Sequence, residues 1–237
     1  MKALLIDDEK LAREALAEQL QAYPQMEIVG EAENGFEALK LIAELKPDVL
    51  FLDVQMPKLT GFELLELLDI PVKVIFVTAY DQFAIQAFEV RAIDYLLKPI
   101  DPKRLQKAIA ALADAKPVAA PDDKWPSAAQ QRLVVRKQGE IHFIYPNDIW
   151  YCEADDDYVN LHTRDGVFSK KTTLNTLEEN LPAHLFARIH RSYLCNVEAI
   201  KKIELLEKDS YVAILANGKI LSVSRTGYPR LKQLMGL

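Results

Sequence analysis

Residues 49–53, Val49-Leu50-Phe51-Leu52-Asp53, place four consecutive apolar side chains directly before an acid. A continuous apolar run of this length is typical of a strand that is buried on both faces. The first half of the chain contains four other such runs, at 3–6, 28–30, 74–77 and 95–97. Apolar residues at helical spacing follow each run, so the pattern predicts a doubly wound α/β domain with a five-stranded parallel sheet.

Polar residues stand at the carboxyl ends of the predicted strands, which is where parallel sheets bind their ligands. Asp7-Asp8-Glu9 follows the first strand, Asp53 the third, Thr78 the fourth and Lys98-Pro99 the fifth. Asp7, Asp8 and Asp53 would repel one another by ~3 kcal/mol per pair at ~5–6 Å and an effective dielectric of ~20, so we expect Mg²⁺ among them. Beside the metal, Asp53 could attack a phosphoryl group as a carboxylate nucleophile, while Thr78 and Lys98 bind its oxygens.

Each of these residues has a simpler explanation when it is taken alone. Asp7 or Asp8 could cap the following helix, and Thr78 could cap a helix that begins near Asp81. Lys98 could be an ordinary solvated charge. The joint pattern, in chain order at successive strand ends, favours the phosphoryl site over these separate explanations.

The second half of the chain consists of short apolar runs separated by turn signals. The runs predict strands at 133–135, 141–144, 149–152, 158–161, 167–168, 199–203, 211–215 and 220–223, with helices only at 174–181 and over the last ten residues. This half is therefore predicted to be a mostly β domain. A stretch rich in Pro, Ala and charge separates the two halves, which gives domains at 1–115 and 131–237 and a linker at 116–130.

The composition is that of a soluble globular protein. The 237 residues are 50% hydrophobic and 27% charged, and only 8 Gly and 2 Cys are present, which excludes disordered, collagenous and disulfide-scaffold proteins. With no long apolar run and no signal-peptide pattern, we expect a cytoplasmic protein with reduced thiols and no insertion into the membrane. The net charge of −6 divides into −7 over residues 1–116 and +1 over residues 117–237, so it argues only weakly against nucleic-acid binding.

The strand ends of the first half resemble the receiver domains of two-component response regulators. The resemblance covers residues 1 to about 115 and rests on residues 5–9 (LIDDE), 51–57 (FLDVQMP), 77–79 (VTA) and 94–99 (DYLLKP). It implies a flavodoxin-like fold in which a sensor histidine kinase phosphorylates Asp53. The other implied roles are metal binding by Asp7, Asp8, Asp53 and the carbonyl of Gln55, switching by Thr78 and Tyr95, and phosphoryl binding by Lys98.

Phosphorylation would act on this domain through charge. It would add roughly −1.5 to −2 charges and new acceptor oxygens at Asp53, which draw Thr78 and Lys98 inward. The Lys98-Pro99 bond is expected to be cis. The surface between Phe83 and Lys107 combines mixed charges with exposed apolar area, and we expect phosphorylation to promote a homodimer there.

The polar residues of the second half, taken alone, are typical of a solvated surface on which Arg191 and Arg225 pair with the acids at 155–157. Residues 186–196 (FARIHRSYLCN) favour another interpretation, because with residues 149–154 (IWYCEA) and 223–226 (VSRT) they resemble a LytTR DNA-binding domain. The resemblance covers about 130–237 and implies loops that enter the major grooves of double-stranded DNA. The residues proposed to bind DNA are Tyr158, Asn160, Lys170, His190, Arg191, Ser224, Arg225 and Tyr228.

Within this set, Arg191 and Arg225 are the residues expected to contact guanine, and Lys170 and Tyr228 fit phosphate positioning. The three acids at 155–157 are a difficulty, because they lie near a presumed reading loop and would repel phosphates. Their side chains would have to point away from the DNA, or one of them would accept a hydrogen bond from cytosine.

The predicted function is a DNA-binding transcriptional response regulator that accepts a phosphoryl group on Asp53 and is not itself an enzyme, apart from slow self-dephosphorylation. One alternative keeps the receiver domain and makes the second half a protein-interaction module. A phosphatase of the haloacid type would need D-x-D at the nucleophile, whereas Val54-Gln55 follows Asp53.

Residues 88–95 (FEVRAIDY) most resemble regulators that are partnered with LytS-type membrane sensor kinases.

Overall fold

Five parallel strands form the sheet of the first half in the order β2-β1-β3-β4-β5. The strands are β1 (Lys2–Ile6), β2 (Glu27–Ala32), β3 (Val49–Leu52), β4 (Lys73–Thr78) and β5 (Asp94–Leu97). The helices that connect and follow them are α1 (Lys10–Leu20), α2 (Gly35–Leu45), α3 (Gly61–Glu66), α4 (Ala84–Glu89) and α5 (Pro102–Asp114). The predicted doubly wound α/β class is thereby confirmed.

A computed structural model of the protein describes residues 1–68, 70–115, 132–207 and 210–236. The chain divides into two compact units, Met1–Asp122 and Asp123–Leu237. The linker that the sequence predicts at 116–130 lies outside the described residues. None of the helices in the described ranges combines the length and the hydrophobicity needed to span a lipid bilayer.

Side-chain caps fix where several helices of the first unit begin. Asn34 accepts a hydrogen bond from the Glu37 N–H ahead of α2, and Asp101 accepts from two N–H groups in the first turn of α5. These caps satisfy N–H groups that have no partner within the helix. Between the helices, Phe51 and Phe76 are among the largest fully buried side chains. Burial of such side chains supplies most of the stability of the sheet.

The second unit is built from short antiparallel strands. Its strands are β6 (Leu133–Lys137), β7 (Glu140–Ile144), β8 (Ile149–Asp155), β9 (Tyr158–Thr163), β10 (Gly166–Lys171), β11 (Phe186–His190), β12 (Tyr193–Asn196), β13 (Ile200–Glu207), β14 (Ser210–Leu215) and β15 (Ile220–Val223). They form sheets in the orders β10-β9-β8-β12-β11, β13-β14-β15 and β6-β7. The helices are α6 (Leu174–Asn180) and α7 (Gly227–Met235), so the predicted mostly β character is confirmed.

Two strands of the second unit, β11 and β12, are absent from the sequence-based prediction. Their pairing shifts register between Arg188 and His190, and a bulge of this kind breaks the simple alternation of buried and exposed residues. The polar residue Asn196 is also buried, at 3% exposure. Apolar periodicity does not reveal a bulged strand such as β11, or a strand such as β12 that ends in a buried amide.

Cys152 on β8 and Cys195 on β12 are free thiols with 0% exposure. The two strands pair directly, with Cys195 opposite Tyr151 and Cys152 opposite Leu194. Burial raises the pKa of the Cys195 thiol to about 12 and raises that of Cys152 as well. Both cysteines therefore act as core residues.

Candidate functional site

Three acids meet at the carboxyl edge of the first sheet because their strands end together. Asp7 follows β1 and donates its backbone N–H to the Ala32 carbonyl, while the Asp53 N–H donates to the Ile6 carbonyl at 2.8 Å. One carboxylate oxygen from each of Asp7, Asp8 and Asp53 lies within 4.8 Å of the others. Asp7 and Asp53 are only 6% and 5% exposed, whereas Asp8 faces solvent. The structure thus brings together the three carboxylates that the sequence predicts as metal ligands.

Lys98 reaches into this acid cluster from the end of β5. Its backbone N–H donates to the Thr78 carbonyl at 2.8 Å, which fixes the segment after β5 against the end of β4. The Nζ atom lies 2.8 Å from Asp7, 3.2 Å from Glu9 and 3.4 Å from Asp53. The bond between Lys98 and Pro99 is cis, as expected from the sequence. One ammonium group therefore contacts three carboxylates.

The pKa values of Lys98 and Asp7 reflect their burial and their contact with each other. Burial would lower the pKa of Lys98, but the hydrogen bond to Asp7 and the charge of Asp53 outweigh it, so the pKa is raised. Burial also raises the pKa of Asp7, although the Lys98 hydrogen bond and the Glu9 N–H oppose that effect. A divalent cation would relieve both the burial cost and the repulsion.

Thr78, Tyr95 and Gln55 surround the cluster. Thr78 is fully buried, and its hydroxyl has no hydrogen-bond partner among the described residues. The Tyr95 hydroxyl donates to the Tyr80 carbonyl, and its ring lies 6.2 Å from that of Phe76. Partial burial and nearby acids raise the pKa of Tyr95 to about 12. The Gln55 backbone N–H donates to Asp53 at 3.4 Å, which places this loop next to the acid cluster.

Gly61 lies directly against the backbone of Asp53, so Gly61→Ala is expected to destabilise the first unit. A Cβ atom at Gly61 would lie 2.3 Å from the Asp53 carbonyl oxygen, and backbone cannot move aside as a flexible side chain can. We expect a loss of ~1–3 kcal/mol of unfolding free energy, measured by thermal denaturation. Gly30→Ala is the control, because its Cβ would meet only leucine methyl groups, at 3.1 and 3.2 Å. Equal stability of both variants would contradict the expectation.

In the second unit, two of the predicted DNA-binding segments meet at Ile189. His190 is the last residue of β11 and Arg191 begins the turn between β11 and β12, while the Ser224 N–H donates to the Ile189 carbonyl at 2.8 Å. Gly227 makes this approach possible, because a Cβ atom there would lie 2.1 Å from the same carbonyl oxygen. The segment with Ser224 and Arg225 therefore packs against the strand that ends in His190.

A third segment, the hairpin between β8 and β9, lies beside the same turn. The Ala154 N–H donates to the Ser192 carbonyl at 3.0 Å. Tyr158 is 48% exposed on this hairpin, while the Asn160 amide donates to Asp155 at 3.0 Å and accepts from Ser169 at 2.6 Å. Asn160 is thus already paired within its own sheet.

The remaining residues predicted to contact DNA differ in whether their side chains already have partners within the protein. Arg191 and Arg225 are exposed, and neither guanidinium forms a hydrogen bond or ion pair within the described parts of the chain. The alternative in which they pair with the acids at 155–157 is therefore not what the structure shows. Lys170 instead donates to the Val134 carbonyl at 3.0 Å. The Tyr228 ring stacks on that of Tyr211 at 3.7 Å.

Two arginines that were not predicted from the sequence bind backbone carbonyls of these two sites. The Arg13 guanidinium donates to the Asp7 carbonyl at 2.6 Å and pairs with Glu31 at 2.9 Å. Arg188 donates to the carbonyls of His190 and Arg191. No sequence pattern signals Arg188, because a bulge between Arg188 and His190 breaks the alternation of faces along β11.

Comparison with known proteins agrees with both halves of the structure. Residues 3–110 match the family model of the response regulator receiver domain, and residues 139–236 match that of the LytTr DNA-binding domain. A response regulatory protein of Vibrio cholerae is 43% identical over 100% of this chain and 99% of its own length. The transcriptional regulatory protein BtsR of Escherichia coli is 38% identical over 100% of both chains. The sensory transduction protein LytT of Bacillus subtilis is 35% identical over 99% of both. The chain therefore belongs to the family of response regulators that join a receiver domain to a LytTR DNA-binding domain.

Proposed function

We propose that the protein is a transcriptional regulator switched by phosphorylation of Asp53, with a receiver domain over residues 1–115 and a LytTR domain over 131–237. The observation that carries the proposal is the contact of Lys98 with Asp7 and Asp53 at the sheet edge, in a chain that also holds a DNA-binding domain. Such a site suits the capture of a phosphoryl group. The DNA-binding domain supplies the output.

In the proposed reaction, a carboxylate oxygen of Asp53 attacks the phosphorus of a phosphohistidine on a sensor kinase. The new P–O bond forms as the P–N bond breaks, and the electron pair returns to the imidazole nitrogen. Lys98, 3.4 Å from Asp53, would pair with the transferred oxygens. The buried Thr78 hydroxyl, unpartnered among the described residues, would gain an acceptor there, which supports its role as the switch residue.

Mg²⁺ fits the acid cluster because all the side-chain donors are oxygens and their charges exceed that of Lys98. Asp7, Asp8 and Asp53 would hold the ion together with the backbone carbonyl of Gln55. When bound, Mg²⁺ would neutralise charge on the carboxylates and on the phosphoryl oxygens.

The proposed dimer surface lies on α4, β5 and α5. Ile85, Phe88 and Leu97 are 74%, 84% and 46% exposed there, and Asp94 and Arg104 form an ion pair of 2.7 Å. Exposed aromatic and aliphatic side chains beside such charges are typical of interfaces. Because a carboxyl phosphate at Asp53 would pull on Thr78 and Lys98 at the ends of β4 and β5, it could change this surface.

Phe88→Asp is expected to weaken the dimerisation that depends on phosphorylation. An aromatic residue at the centre of an interface contributes ~2 kcal/mol or more, so the dimer affinity should fall by about 30-fold. Sedimentation of the protein with and without a phosphoryl donor measures the change. Leu11→Asp is the control, since Leu11 is 79% exposed on α1 of the same unit. A wild-type protein that stays monomeric with Asp53 phosphorylated would contradict the dimer proposal.

The proposed DNA surface comprises the three neighbouring segments of the second unit, which present Tyr158, Arg191 and Arg225 to solvent. Because the chain beyond residue 117 has a net charge of only +1, a few placed cations would have to carry the binding, and dimerisation would supply further affinity. This fits a regulator that binds tandem half-sites after phosphorylation. A chromosomal DNA target supports a cytoplasmic location.

Binding to DNA fragments selected by the wild-type protein from a random pool tests this output. The affinity should fall at least tenfold between about 50 and 200 mM salt, because contacts with phosphates release counterions. It should rise when Asp53 is phosphorylated. Binding that ignores salt would instead favour a protein-interaction output domain.

The proposed kinase partner is a membrane sensor of the LytS type. The stretch at 88–95 supports this choice, and the name of the Bacillus subtilis relative, a sensory transduction protein, is consistent with it. Transfer of phosphate from such a kinase to Asp53, faster than from an unrelated sensor kinase, is the expected observation.

A further inference from the structure

Arg188 connects the turn that bears Arg191 to the body of the second unit. Its side chain, 17% exposed, lies on β11 three residues before Arg191. The Nε atom donates to the His190 carbonyl at 2.8 Å, and an Nη atom donates to the Arg191 carbonyl at 2.6 Å. A single planar group thus binds two successive carbonyls of this turn.

The other side of the same guanidinium is held by α6. Its second Nη atom donates to Asn175 at 3.2 Å and lies 3.6 Å from Glu178. Glu178 also lies 3.4 Å from Arg230 of α7. Most of the five N–H groups of Arg188 are therefore used inside the protein, and little of the side chain is left for DNA.

The turn itself needs such support. Arg191 has a long side chain with no partner among the described residues. The position of its guanidinium therefore depends on the conformation of the backbone of the turn. The Ser192 N–H donates to the His190 ring at 3.2 Å, and the Ser192 carbonyl accepts from Ala154. The carbonyls of His190 and Arg191 accept from Arg188 in addition to the pairing of His190 with Tyr193.

We propose that Arg188 is a positioning residue for DNA recognition: it holds the backbone of the turn so that Arg191 meets its base in a defined orientation. The inference rests on the proposed function of the second unit. It assigns specificity to a residue that does not touch DNA. A lysine could keep the charge but could not bind both carbonyls in one plane.

A double-mutant cycle with Arg188→Lys and Arg191→Ala tests the proposal by fluorescence anisotropy. In the wild-type background, Arg188→Lys should weaken binding to the selected DNA by about tenfold, while affinity for scrambled DNA stays the same. In the Arg191→Ala background, the same substitution should cost little, because residues that act together are not additive. Arg164→Lys, an exposed arginine in the turn between β9 and β10, should change neither affinity.

Thermal unfolding of each variant shows whether the fold survives. Should Arg188→Lys unfold the unit, Asn175→Ala replaces it in the cycle, since it removes one anchor and leaves both carbonyl contacts; it should cost about threefold, again only with Arg191 present. Equal losses in both backgrounds, or an equal loss on scrambled DNA, would overturn the role of Arg188. If the wild-type protein bound no DNA, the proposed function would fail first.

Discussion

Asp53→Asn is expected to abolish phosphorylation of the protein by a small-molecule donor such as phosphoramidate in the presence of Mg²⁺. The substitution replaces a carboxylate nucleophile with an amide, which cannot form the acyl phosphate. Intact-mass spectrometry should show the mass of one phosphoryl group on the wild-type protein and none on the variant.

The fold should survive this substitution. Lys98 is shared by Asp7, Glu9 and Asp53, so removing one negative charge relieves repulsion and should leave the unfolding temperature unchanged or higher in the absence of metal. Asp48→Asn is the matched control, since Asp48 is an exposed aspartate at the opposite end of β3. A phosphoryl group that still appeared on Asp53→Asn would place the acceptor elsewhere.

The second large effect is expected from Arg191→Ala combined with Arg225→Ala. A bidentate contact between arginine and guanine is worth ~1–3 kcal/mol, so the double variant should lose between about 30-fold and 10⁴-fold in affinity for its selected DNA. Both guanidinium groups are exposed and unpaired within the described ranges, so their removal should not disturb the fold. Affinity for scrambled DNA should fall much less.

Fluorescence anisotropy at one fixed salt concentration measures both affinities. The two segments touch through the Ile189 carbonyl, so the single variants are expected to show a loss that is not strictly additive. Arg164→Ala, at the opposite end of β9, removes one positive charge, as each single variant does, and should have little effect on the affinity. Unchanged affinity of the double variant would falsify the assignment of these arginines.

Much of the first unit could be predicted because its chemistry is local in sequence. Each buried strand is a short apolar run, and each site residue directly follows one, as Asp53 follows β3. Parallel strands must then bring these ends together. The hydroxyl of Thr78, buried without a partner among the described residues, was not foreseen, because burial at a strand end depends on the helices that cover it.

The second unit was harder to predict because its decisive contacts join distant residues. The bulge at Arg188 concealed β11, and the approach of Gly227 to Ile189 joins residues far apart in the chain. Asn160 remains a predicted DNA contact, and its hydrogen bonds with Asp155 and Ser169 across the sheet could not be predicted from the sequence. Such pairings determine which polar side chains remain without a partner in the protein. Residue type alone does not reveal these pairings.

Both cysteines of the chain, Cys152 and Cys195, lie in the core of the second unit, and the first unit has none. A thiol reagent can reach them only when the core packed against β8 and β12 opens, since the burial that excludes the reagent also keeps the thiols protonated. Their rate of alkylation therefore reports the opening of the DNA-binding half alone, inside the intact protein. The chain thus carries its own chemical probe of whether phosphorylation in one half changes the stability of the other.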